Sequence, residues 1–292
     1  MQLPQSSVGG SMNTLSVTVA MQKRIKIFRW REPDLPNGNF GDEITIPLLD
    51  RLFNIKAVPS LMREAQLLGA GSILDAWSLL GVRRRFVQSL TFHRSTGLHV
   101  WGSGFILPDS EARWPQRLHY HAVRGELSAG RIGRQVPMGD PGILASLIVE
   151  KLPPKQHSVG LVPHHIDVDR LRATMALPDN WILIDPRNPV DAVLSAIASC
   201  ELIVSSSLHG LIVADSFGIP CVWARTVEPL YGSSDFKFAD YASARRGEFN
   251  RPIDYEAALR ADGSRLAELA TTPGRSVDEW QQELIAAFPR DL

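Results

Sequence analysis

Only two cysteines, Cys200 and Cys221, occur in the 292 residues. That excludes the disulfide framework on which small secreted domains rely. Neither cysteine stands at a metal-ligand spacing, and both have apolar neighbours (Ile197, Ala198; Ile219, Val222). They read as small buried residues of a protein in a reducing cytoplasm. No apolar run reaches the roughly 18–20 residues of a membrane-spanning helix. Residues 1–21 are rich in Ser and Gln. They lack a basic region followed by an apolar one, so they read as a disordered extension rather than a signal peptide. Net charge is zero, which gives no general attraction for nucleic acid. That zero hides an asymmetry. Residues 1–150 hold 17 Lys and Arg against 12 Asp and Glu, and residues 151–292 hold 14 against 19. The basic half suits an acidic surface or an anionic substrate. There is no internal repeat and no low-complexity tract.

What is present fits a soluble α/β protein of two domains. Residues 24–30 (Arg-Ile-Lys-Ile-Phe-Arg-Trp) alternate like a strand. A loop rich in Pro, Asn and Gly follows. Asp42 then stands as a plausible N-cap of a helix running to Phe53. Three apolar runs end in glycine turns, at Gly69-Ala70-Gly71-Ser72, Gly102-Ser103-Gly104 and Arg124-Gly125. Strand-then-glycine units separated by helical material predict a parallel sheet. Leu152-Pro153-Pro154-Lys155 reads as a linker. A second βα series follows, with strands at 158–162, 181–185, 201–205 and 219–223, then a helical tail broken at Thr272-Pro273-Gly274. The expected architecture is two Rossmann-like parallel-sheet domains, residues 22–151 and 155–292, facing a cleft. Ligands would sit at the carboxyl ends of the strands.

The sharpest local feature is Val204-Ser205-Ser206-Ser207-Leu208-His209-Gly210, where a strand stops and an apolar helix begins. A helix N-terminus offers unpaired N–H donors and partial positive charge, which suit an anion. His209 lies in the first turn, and Gly210 would let a ligand approach the backbone. Alternatively the serines only cap the helix and His209 is structural. Elsewhere, Gly69-Ala70-Gly71 lacks the third glycine of a dinucleotide fingerprint. His164-His165 lacks a third metal ligand at usable spacing, so no metal is expected.

This segment resembles the signature of the polysaccharide pyruvyl transferases: a strand, Ser-Arg-Leu-His-Gly, then an apolar helix ending in Gly-Ile-Pro. Further elements follow in that family's order. They are Asn39-Phe40-Gly41-Asp42, Gly69-Ala70-Gly71-Ser72-Ile73, Val100 to Phe105, Val123 to Ser128, Gly139-Asp140-Pro141, Val162-Pro163-His164 and Asp235 to Tyr241. The resemblance covers most of the chain. It implies transfer of a pyruvyl group from phosphoenolpyruvate, as co-substrate and without further cofactor, to a sugar of an exopolysaccharide unit. The product is a pyruvate ketal. It also implies an architecture like that of the two-domain glycosyltransferases termed GT-B. Arg-Trp-Arg (29–31) before Asn39 is similar to the xanthan and succinoglycan type.

By the same resemblance His209 is the acid, and Asp42 is the candidate base with His164 as competitor. Arg124 and Lys237 would hold the donor, with Ser206, Ser207, Leu208, Gly210 and His164 around it. Asn39, Gly71 and Ser72 belong to matching motifs. Read without the resemblance, Arg124 is a strand-end surface arginine and Lys237 a lysine snorkelling from a strand edge. The family often carries Arg where this chain has Ser207; Arg225 is a candidate to compensate. A basic, apolar cluster at residues 79–87, with Trp77 and Arg94, suits either a solvated face or peripheral contact with the inner membrane beside a lipid-linked acceptor. A nucleotide-sugar glycosyltransferase and a non-catalytic glycan binder are the competing expectations. The first lacks an evident acidic ribose contact.

Overall fold

The computed structural model describes residues 22–31, 35, 38–79, 97–114, 116–227, 234–261 and 263–292. The N-terminal extension and most of the basic cluster at 79–94 lie outside these residues. Two parallel sheets are present. The first holds β1 (Lys23–Phe28), β2 (Ile55–Pro59), β3 (Leu67–Leu68), β4 (Leu98–Trp101) and β5 (Leu118–Ala122), in the order β2-β1-β3-β4-β5. The second holds β6 (His157–Val162), β7 (Trp181–Leu183), β8 (Cys200–Ser205) and β9 (Cys221–Trp223), in the order β7-β6-β8-β9. Every strand pair is parallel. Parallel pairing requires crossovers, which lay helices on the sheet faces.

Both sheets reverse their winding direction, the first between β1 and β3 and the second between β6 and β8. A crevice opens outside the carboxyl ends at such a point. The residues following β3, β6 and β8 are Gly69–Ser72, Pro163-His164 and Ser206–Leu208. The topology therefore explains why those three turns carry the candidate chemistry.

The helix expected to start behind Asp42 starts earlier. Its first turn is Phe40–Glu43, and Asn39 is the N-cap, its side chain accepting from Gly41 N at 3.1 Å. Asp42 is thus inside the turn and is released from a capping role. A second helix, Thr45–Phe53, continues after Ile44 and ends at Asn54 in the left-handed conformation. Lys237 lies on the helix Ser234–Arg245, not on a strand edge.

One hydrophobic core runs through both halves. It joins Ile27, Phe40 and Leu48 to Leu208, Leu211 and Ile212. The 3-10 segment Pro141–Ile148 packs between the helices Thr45–Phe53 and Leu208–Ser216. The tail is helical at Tyr255–Arg260, Gly263–Leu269 and Val277–Ala286. The last of these docks on the first half. Trp101 Nε1 donates to the Leu284 carbonyl (2.8 Å), Gln281 Nε2 to that of Ile143 (2.8 Å), and Phe288 stacks on Phe53 at 4.0 Å.

Candidate active site

Helix Leu208–Ser216 begins directly after β8, and all nine of its residues are buried. Its start is fixed by the three serines, each differently. Ser205 Oγ donates within reach of the Val162 carbonyl (2.7 Å) and accepts from Ser207 N (3.1 Å). Ser206 Oγ accepts from His164 N (2.8 Å) and from the Tyr255 hydroxyl (2.9 Å). Ser206 therefore ties the β6 and β8 turns together, and its expected contact with the donor gives way to this internal role. Ser207 is the N-cap by backbone conformation, yet its hydroxyl makes no capping bond. It is the serine left for a ligand, beside the Leu208 and His209 amides at the start of the first turn; the Gly210 amide already bonds the Ser207 carbonyl at 3.1 Å. Gly210 serves packing rather than ligand approach. A Cβ there would lie 2.9 Å from Val162 Cγ1 and inside the Ser205 hydroxyl. Leu208 is likewise buried in the common core.

His209 is 8% exposed. Phe40 meets its ring edge-on, with centroids 6.3 Å apart. Gly41 lies against the ring: a Cβ at 41 would fall 2.6 Å from His209 Cβ and overlap Nδ1 and Cγ. The other nitrogen, Nε2, is sealed from solvent without a hydrogen-bond partner and faces Asp140 Oδ2 at 3.6 Å. Asp140 is fully buried; its Oδ1 accepts from Gly142 N at 2.9 Å. Burial alone would raise this carboxyl. The His209 ring, the Gly142 N–H and the Arg124 charge outweigh it and hold the group below the usual carboxylate range. The sequence placed Asp140 in the element Gly139-Asp140-Pro141 but gave it no role. The available signal was Asp-Pro, an N-cap followed by a first-position proline, as found at Pro141.

Arg124 is wholly buried, not at the surface. Its Nε donates to Asp240 Oδ2 (2.9 Å), one terminal nitrogen to the Phe105 carbonyl (2.6 Å) and the other to the Ser72 hydroxyl. Asp240 also accepts from Ser128 N and Oγ, at 2.8 and 2.6 Å. The expected fork on a donor carboxylate is thus already occupied by protein groups. Arg124 instead adds a fixed positive charge beneath the site and holds Ser72.

Lys237 is half-buried and makes no hydrogen bond among the described residues; its ammonium lies 5.4 Å from the centre of the Phe238 ring. Burial and the neighbouring Arg124 charge push it down to about 8, against a partly opposing pull from Asp42. Asp42 is half-buried, and its Oδ1 stands 3.3 Å from where a Gly71 Cβ would be. Gly71 adopts φ +116°, which a side chain would not tolerate. His164 is pushed down to about 2 by burial, then by Lys237 and His165, and its Nδ1 is sealed without a partner. A neutral His164 is a poor acid but a possible acceptor. Asp42, Lys237, Arg124, Asp140, His209 and His164 thus form one electrostatic cluster.

Arg225 does not join it. Its side chain is exposed, while its backbone N–H bonds the Ile253 carbonyl at 2.8 Å. A cation that does join it is Arg29, which the sequence placed in Arg-Trp-Arg without a role in the site. It follows β1, pairs with Glu43, and feels the Asp42 charge. Arg29, Phe40, Glu43, Pro47, Asn188 and Pro189 line a groove of about 460 Å³ between the halves.

The family model of the polysaccharide pyruvyl transferases matches residues 39–225. The chain belongs to that family. The match spans Asn39, Asp42, Arg124, Asp140, His164 and His209, but ends before Lys237. The succinoglycan biosynthesis protein ExoV of Rhizobium meliloti (strain 1021) is 29% identical over 77% of this chain and 67% of its own. An uncharacterized protein, L143, of Acanthamoeba polyphaga mimivirus is 30% identical over 66% of this chain and 70% of its own. Among solved structures, E. coli heptosyltransferase WaaC with ADP covers 91% of this chain and 100% of its own, at 13% identity and TM-score 0.33. Among the described residues no helix is long and apolar enough to cross a membrane.

Proposed function

We propose that this transferase moves a pyruvyl group from phosphoenolpyruvate to two hydroxyls of a sugar in an exopolysaccharide unit, forming a pyruvate ketal. The family and the succinoglycan relative support the polysaccharide role. The observation that carries the donor is the meeting of a cation (Lys237), a non-capping hydroxyl (Ser207) and a helix N-terminus beside a histidine and two carboxylates. A small dianion that must be protonated on carbon needs that set. The acceptor is a lipid-linked oligosaccharide at the cytoplasmic face of the inner membrane, and its sugar lies in the groove between Arg29 and Asn188.

The donor phosphate takes the Leu208 and His209 amides and the Ser207 hydroxyl, with Lys237 as point charge. One sugar hydroxyl adds to C2 of phosphoenolpyruvate, its proton passing to Asp42. His209 delivers a proton to the methylene carbon, which becomes methyl. The second hydroxyl then attacks C2, and the C2–O bond to phosphate breaks with its electron pair on the leaving oxygen. The two hydroxyl protons end on the methyl carbon and on phosphate. Arg124 supports this set without touching the donor.

A thermal-shift comparison tests the donor. Millimolar phosphoenolpyruvate raises the melting temperature, because a ligand bound only by the native state stabilises it. A shift with a nucleotide sugar and none with phosphoenolpyruvate would make the protein a glycosyltransferase instead. Mass spectrometry of a lipid-linked oligosaccharide pool then shows whether the pyruvate mass is added.

A further inference from the structure

His209 is placed with its two nitrogens in different surroundings. Nε2 is sealed and faces Asp140 Oδ2 at 3.6 Å. That is an ion-pair distance, about half an ångström beyond a hydrogen bond. Nδ1 is not among the sealed, unpartnered atoms, and it lies on the Gly41 side, where any side chain would close it off. Asp140 itself cannot turn. Its Oδ1 accepts from Gly142 N at 2.9 Å and its Oδ2 lies 3.5 Å from Gly71 N, in a fully buried setting.

We propose that Asp140 is the positioning residue of this site: its Oδ2 holds the proton of His209 Nε2, so that Nδ1, opened by the missing side chain of Gly41, is the nitrogen that meets the substrate. Nδ1 as the proton donor to the methylene carbon rests on the function proposed above; the pairing of Asp140 with Nε2 does not. A carboxylate fixed behind an imidazole does two things. It selects the tautomer, and it stabilises the protonated ring. The 3.6 Å gap shortens when the substrate closes the site, as catalytic hydrogen bonds do. The other charged and titratable groups of the cluster are Asp42, Lys237, Arg124 and His164, on four separate segments of the chain. Asp140 lies within 4 Å of the ring.

The plain alternative is that Asp140 only caps the segment Pro141–Ile148. The two roles use different oxygens, Oδ1 for the cap and Oδ2 for the ring. Asp140→Asn therefore keeps the cap and removes the charge facing Nε2. The test is a pH titration of the full chain with ¹⁵N-labelled histidine, the His209 signals being assigned with His209→Ala. In the wild type the neutral ring carries its proton on Nε2. In Asp140→Asn the amide N–H that replaces Oδ2 faces Nε2, so the neutral ring moves its proton to Nδ1. A neutral wild-type ring protonated on Nδ1, or an unchanged tautomer in Asp140→Asn, overturns the proposal. If Asp140→Asn does not fold, the wild-type tautomer alone decides. With phosphoenolpyruvate as donor, Asp140→Asn lowers kcat at least tenfold while KM for the donor stays within threefold. If phosphoenolpyruvate proves not to be the donor, the titration still stands.

Discussion

Gly41→Ala separates the stability of this protein from its chemistry. Gly41 lies in the helical turn Phe40–Glu43, so alanine meets no backbone strain. Its Cβ would sit 2.6 Å from His209 Cβ and overlap Nδ1 and Cγ. Ordinary contact needs about 3.4 Å or more, so the ring must retreat by ~1 Å. Overpacking of this kind costs ~1–3 kcal/mol. Replacing a helical glycine returns up to about 1 kcal/mol. The net loss of roughly 0–2 kcal/mol lowers Tm by about 5 °C at most in a chain of this size. A ~1 Å displacement of a reacting group costs about 10²-fold in rate. Urea unfolding and phosphate release from phosphoenolpyruvate, with a lipid-linked oligosaccharide acceptor, measure the two effects. Gly130→Ala is the control, since nothing lies within 4 Å of its Cβ position; it keeps full activity and gains a few tenths of a kcal/mol. A Gly41→Ala enzyme within threefold of wild type would refute the idea that His209 is held by contact with Gly41.

Other consequences are equally open to measurement. Arg124→Ala leaves Asp240 buried and unpaired, and costs ~3–5 kcal/mol in urea unfolding; a donor-binding arginine would instead raise KM and leave stability alone. Lys237, pushed down to about 8, takes up protons when a phosphate-bearing donor binds near pH 8. Calorimetry in buffers of different ionisation enthalpy detects that uptake, and Lys237→Ala abolishes it. His164, pushed down to about 2, and His99, pushed down to about 4, are neutral in the folded state where the unfolded chain is protonated. Stability is therefore unaffected above about pH 6.5 and falls as pH drops from there toward 4. His164→Asn with His99→Asn flattens that slope; an unchanged slope would show that both titrate normally in the folded protein.

The fold was legible because its signals are local. Several strands, β3, β4 and β8 among them, end in a glycine or serine turn, and the apolar helix after Ser207 had to be buried. Burial partners were not legible, because they are set by contacts far apart in sequence. Arg124 reads from sequence as a ligand-binding fork, but its Nε is taken by Asp240, 116 residues later, and its terminal nitrogens bond Phe105 and Ser72. Asp140 meets His209 across 69 residues, and nothing near Asp140 in the chain announces that. Gly210 and Ser206 were misread for a related reason. A small or polar residue beside a site suggests a ligand, but here Val162 and Tyr255 occupy those positions. The cap was misplaced by three residues, since Asn39 and Asp42 both suit it by type.

The docking of Val277–Ala286 on the first half has a consequence for synthesis. Trp101, Phe53 and Ile143 belong to the first half, yet part of their cover is Leu284, Phe288 and Gln281. A ribosome making roughly 5–20 residues per second needs ~6–26 s to pass from residue 148 to residue 277. During that interval the first sheet must wait with an indole and a phenyl ring uncovered. Closure of the first sheet therefore comes only after the second half has been made, and a chain stopped before residue 277 would be a client for chaperones rather than a smaller enzyme.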